Sequence, residues 1–150
     1  MNRWRRTFLR LSAAALAVGS GLAKSGHALA AVWNKAGFEA KALPDAIKSL
    51  GATGAPDSKD IVITAPDIAE NGAVVPIAVA SRIPNTRSIS ILAEKNPFPL
   101  AATFDVSGSE AYVSTRIKMG QTANVRAIVQ ADGKFYTAAK EVKITIGGCG

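Results

Sequence analysis

VRAIVQADGKFYTAAKEVKITI, residues 125–146, decides the fold. Its first part alternates, with Val125, Ala127 and Val129 on one side of the chain, the period of a half-buried β-strand. Asp132-Gly133 is then a strong signal for a tight hairpin turn, because two-residue turns want positive φ at both central positions. Phe135 to Ala139 resumes the extended pattern, which runs on with Val142, Ile144 and Ile146 on one side and Lys143 and Thr145 on the other. A hairpin alone is marginal in water, so its apolar face calls for further strands to cover it.

Those strands lie N-terminal to it. Tyr112 to Met119 sets Val113, Thr115, Ile117 and Met119 against Ser114, Arg116 and Lys118. Ala102, Phe104 and Val106 alternate before it; Ser88 to Glu94 turns Ile89 and Ile91 inward; Val74 to Ala80 does the same with Val75, Ile77 and Val79, where Pro76 signals an edge or a bulge; and Ile61 to Thr64 is the first of the series. About seven short strands, with turn signals every 8 to 12 residues or so, predict an all-β, immunoglobulin-like antiparallel β-sandwich. It has no cysteine pair to staple its sheets. A short helical segment precedes it, with Trp33, Phe38, Ala42, Ile47 and Leu50 as an irregular apolar stripe. Pro44 fits the first residue of a second short helix, Gly51 ends it, and Gly51 to Lys59 is loop by composition.

The chemistry sits beyond the last strand. Gly147, Gly148 and Gly150 enclose Cys149, the single cysteine of the 150 residues. Glycines sample φ of either sign and shield little, so residues 147–150 are expected to be a flexible arm carrying an exposed thiol. Three residues past Ile146 reach at most roughly 10 Å, enough to enter a cleft on another protein. A free thiol has a pKa near about 8.5, and the glycines bring neither a cation nor a helix N-terminus to lower it, so activation must come from a partner. A lone cysteine is ordinarily a small buried hydrophobe, but one placed between glycines here has no core to enter.

The opposite end is an address. Arg5 and Arg6 begin a twin-arginine pattern, the apolar run from Leu11 to Ala23 falls short of the roughly 20 residues that span a bilayer, and Ala28-Leu29-Ala30 offers a cleavage site. Residues 1–30 are thus expected to be a cleaved signal, 31–146 the carrier domain with its helical segment, and 147–150 the arm. Export by the twin-arginine route implies folding before transport and a periplasmic workplace.

Removing the signal takes five of the 18 basic residues and none of the 11 acidic ones, leaving 13 against 11 and a net charge of +2 instead of +7. The case for nucleic-acid binding goes with it. So does His27, the single histidine, and with it any Ser-His-Asp or Cys-His arrangement or Cys/His metal cluster. The mature chain is therefore expected to have no catalytic residues, no metal, no cofactor and no membrane attachment.

Several stretches together resemble one family. The twin-arginine signal, Asn96 to Ala102 (NPFPLAA), Ser114 to Thr122 (STRIKMGQT), Asp132 to Tyr136 (DGKFY) and Val142 to Gly150 (VKITIGGCG) look like the SoxY family, sulfur carriers of the thiosulfate-oxidising Sox system. In the family pattern two glycines follow the cysteine; here Gly150 alone does. The resemblance implies that Cys149 is the covalent attachment point for sulfur or thiosulfonate, and that a smaller SoxZ-like subunit forms a heterodimer with this chain. It also implies that a c-type cytochrome, a sulfate-releasing hydrolase and a sulfane dehydrogenase work on the adduct in turn. A disulfide-linked dimer through Cys149 is a further association open to an exposed thiol. The competing reading is a periplasmic sandwich-type binding module cross-linked permanently through its terminal cysteine. A redox or metal chaperone would lack ligands.

Overall fold

Asp132 and Gly133 both take positive φ, 49° and 72°, and this turn folds Ala123–Ala131 back onto Lys134–Ile144 without a slip, from Ala131 opposite Lys134 to Ala123 opposite Val142. The computed structural model describes residues 33–145, so the expectations for residues 1–32 and 146–150 lie outside it. Two short helices, α1 (Lys35–Glu39) and α2 (Leu43–Ser49), precede eight strands: β1 (Ile61–Thr64), β2 (Ile68–Ala69), β3 (Val75–Ser81), β4 (Thr86–Ala93), β5 (Leu100–Asp105), β6 (Tyr112–Ile117), β7 (Ala123–Ala131) and β8 (Lys134–Ile144). They form a three-stranded sheet, β1-β3-β6, and a five-stranded sheet, β2-β8-β7-β4-β5.

The main core is the space between the sheets. Val75, Ile77 and Val79 of β3, with Val113 and Ile117 of β6, meet Ile89 and Ile91 of β4, Val125, Ala127 and Val129 of β7, and Val142 of β8. Each such side chain, removed from water, contributes about 1.5–3 kcal/mol, and together they oppose the entropy of ordering the chain. Pro76 sits where the sequence suggests: β1 pairs only with Ala78–Ser81, so β3 has an open flank at the proline, which has no N–H to offer it.

The sandwich expectation holds, and three details correct it. First, there are eight strands among the described residues, and β2 runs parallel to β8, with Ile68 opposite Lys143 and Ala69 opposite Ile144. Second, β4 is buried on both faces from Ile89 to Ala93, because a second apolar cluster covers the outside of the five-stranded sheet. Leu92, Leu100 and Ile128 pack there with Ala46 and Ala52, flanked by Phe38, Leu43, Ile47 and Leu50. The helical segment is thus a third layer. Third, Trp33 and Ala42 of the expected apolar stripe are exposed, Trp33 lying flat against Phe38 with ring centroids 4.4 Å apart. Ala40 and Ala42 are extended, so the helical phase breaks between α1 and α2 and the stripe cannot continue across it.

Candidate functional site

Cys149, Gly147, Gly148 and Gly150, like Arg5 and Arg6 of the signal motif, lie outside the described residues. The described residues nearest to Cys149 in the chain are the end of β8, and that strand end is held from both sides. Val142 is fully buried and forms the last main-chain rung with Ala123 of β7. Beyond that rung successive amides alternate in direction, as in any strand. On one side Lys143 N–H donates to Asp67 O at 2.9 Å and Thr145 N–H to Ala69 O at 3.2 Å. On the other, where the main chain of β7 has ended, Ile144 N–H donates to the hydroxyl of Thr122 at 2.9 Å.

The flanks of this root are themselves fastened. Lys140 Nζ donates to Ala65 O at 2.6 Å and pairs with Asp67 at 3.1 Å, tying the segment that leads into β2 onto β8. Met119 N–H donates to Gly72 O at 2.7 Å. Asn96, in the β4–β5 loop, donates from Nδ2 to Lys118 O at 2.6 Å and accepts from Gly120 N–H at 3.2 Å, bracing the turn that carries Thr122. Next to it Glu94 holds Arg126 at 2.7 Å and accepts from Asn124 at 3.1 Å, on the outer face of the sheet. Loops 94–99 and 118–122 and the end of β2 therefore gather at the end of the sandwich from which the chain continues to Cys149.

The perturbed carboxyl, Asp105, closes β5 at the other end. The Ser107 hydroxyl and then its N–H hold it below its ordinary value against desolvation, with the smallest contribution from Arg87. Among the described residues no three Asp, Glu, His or Cys side chains gather as a metal site would require, and no helix is long and apolar enough to cross a membrane.

Cys149 was singled out by composition as the candidate attachment point. Thr122, Asn96 and Lys140 were not. Thr122 and Asn96 fall inside stretches that carry the family resemblance, but their partners lie 22 residues away in sequence, and alternation says nothing of such bonds.

Residues 47–149 match the family model described as "Sulfur oxidation protein SoxY". Among solved structures, the sulfur carrier protein SoxY from Chlorobium limicola f thiosulfatophilum is 44% identical, with a TM-score of 0.60, covering 68% of this chain and 96% of that one. A PKD domain of an M14-like peptidase from Thermoplasmatales archaeon SCGC AB-540-F20 is far more distant, 18% identical with a TM-score of 0.40 over 59% of this chain and 93% of that one. No curated protein matches. Fold and family match together define the class, a β-sandwich protein of sulfur oxidation. The chain belongs to the SoxY family.

Proposed function

We propose that this protein is a periplasmic sulfur carrier of thiosulfate oxidation, holding pathway intermediates on Cys149 and presenting them to partner enzymes. One observation carries the reading: the family match runs through the C-terminal glycine segment to residue 149, the single cysteine. The firmly held root of β8 supports it, since a fixed base with a glycine tip raises the effective concentration of a thiol near a docked partner.

In this reading residues 1–30 are a twin-arginine signal removed on export, 31–146 the carrier domain, and Gly147, Gly148 and Gly150 the arm. A SoxZ-like subunit accompanies the folded chain as a heterodimer. A c-type cytochrome removes two electrons as the Cys149 thiolate joins thiosulfate, forming Cys-S-S-SO3⁻. A hydrolase adds water and releases sulfate, leaving a persulfide. Where a sulfane dehydrogenase acts, it oxidises the outer sulfur to Cys-S-SO3⁻, drawing three oxygens from water and passing on six electrons, and a second hydrolysis returns the thiolate with a further sulfate. The chain itself is no enzyme; it contributes reach and a sulfur atom.

Intact-mass analysis of the protein from thiosulfate-grown cells checks this. The expected result is a set of reducible sulfur and thiosulfonate additions that map to Cys149, and loss of reconstituted thiosulfate oxidation in Cys149→Ser. An unmodified thiol in active cells, or a permanent disulfide to one other chain, would count against carriage.

A further inference from the structure

We propose that Thr122 is a positioning residue for the carrier arm: its hydroxyl, set in place by the Asn96-braced turn, fixes where β8 ends and so how much chain is left to carry Cys149. The inference rests on the carrier reading above and adds a device that tunes reach.

The bond concerned is singular in its place. Main-chain pairing between β7 and β8 stops at Ala123 and Val142, and the next amide of β8 that points toward β7, that of Ile144, meets a side chain instead of a carbonyl. Packing does not make this bond redundant, for Ile144 is only half-buried and Thr145 is exposed. On the opposite side the strand end leans on β2, a strand of two residues whose ladder partner is β8 itself. With the Thr122 hydroxyl gone, the main chain of the end is hydrogen-bonded to that short strand alone, and only the partly buried Ile144 side chain still packs it against the core. The turn gives Thr122 little freedom to wander, since Asn96 grips it at Lys118 and Gly120, and Gln121 Nε2 donates to Lys95 O at 3.4 Å. Two stretches that the family resemblance singles out, around Asn96 and up to Thr122, thus act on one atom at the base of the arm.

Reach is sensitive to such a bond. Each residue released from a strand adds about 3.3–3.6 Å of extended chain, so freeing Ile144 and Thr145 lengthens an arm of a few residues by roughly 7 Å. Too long an arm dilutes the thiol at a partner's site; too short a one fails to arrive.

The test uses the full mature chain. Thr122→Val removes the hydroxyl and keeps the shape, and Thr122→Ser keeps the hydroxyl. Amide hydrogen exchange at Ile144 should quicken about fivefold or more in Thr122→Val and stay at the native rate in Thr122→Ser. Deleting Gly147 from the native chain should slow reconstituted thiosulfate oxidation, and the same deletion combined with Thr122→Val should regain much of that rate. A merely structural role for Thr122 would make the double variant worse. Unchanged exchange at Ile144 in Thr122→Val, or equal activity of the shortened arm with and without the hydroxyl, overturns the inference. Retained activity in Cys149→Ser would instead overturn the carrier reading, and the exchange result would stand apart from it.

Discussion

Gly72 has no room for a side chain. A Cβ there would press on the Met119 carbonyl oxygen and come within 3.0 Å of Ile144 Cγ2, and the neighbouring Gly72 carbonyl already receives the Met119 N–H. Backbone cannot yield as a flexible side chain would, so Gly72→Ala should destabilise the fold by about 1–3 kcal/mol in urea denaturation. A midpoint equal to the native one would mean that this corner adapts. At this scale the sequence speaks unevenly. Cys149 announces itself because it is the single thiol, set among glycines. Gly72 and Thr122 are ordinary residues in ordinary turns, and their importance comes from atoms that the fold brings to them.

Among the elements, β2 shows how little sequence a useful strand needs. Two residues have no periodicity to detect, and Ile68 is exposed, so no pattern marks them. What makes the strand is its main-chain ladder to β8, and a lysine there fastens the segment that leads into it: Lys140, half-buried on β8, reaches the Ala65 carbonyl and the Asp67 carboxylate. The two partners should not count alike. Asp67 is 89% exposed, so its ion pair is screened by water, whereas the Ala65 carbonyl depends on Lys140 for its hydrogen bond. Lys140→Met should therefore cost about 1 kcal/mol and speed exchange at the Lys143 and Thr145 amides, while Asp67→Asn should change stability by less than about 0.5 kcal/mol. Equal effects from the two variants would show that the ion pair, and not the carbonyl, holds the segment. The long strands, by contrast, were readable. Val125, Ala127 and Val129, and Val113 and Ile117, alternate because one face of each strand is buried between sheets, with Met119 buried in the same core just past the end of β6, and Asp132-Gly133 turns the chain for the steric reason its composition suggests.

Over the whole molecule, three layers replace the two that alternation implies. Leu92 and Ile128 look like outward residues of β4 and β7 when only the inner core is considered; they are buried because α1, α2 and the loop after them lie over that face. A sequence pattern reports which face is apolar but not what comes back to cover it. The helical layer is consequently part of the fold. A chain starting after residue 50 should expose Leu92, Leu100, Ile128 and Phe135 together and aggregate at concentrations where the 31–150 chain stays monodisperse in light scattering. A soluble, cooperatively folding truncation would show that the outer cluster is dispensable.

The position of β8 in this architecture has a bearing on how the protein is made. It is the last of the described strands in chain order, yet it is the neighbour of both β7 and β2 and takes the bridge from Asp57 at Thr137. A nascent polypeptide that stops short of it leaves β7 with a bare edge and β2 with none to join, a substrate for proteolysis instead of a native molecule. Closure of the five-stranded sheet therefore waits for residues 134–144: the whole of β8 has to be made and released before β7 and β2 can be joined through it.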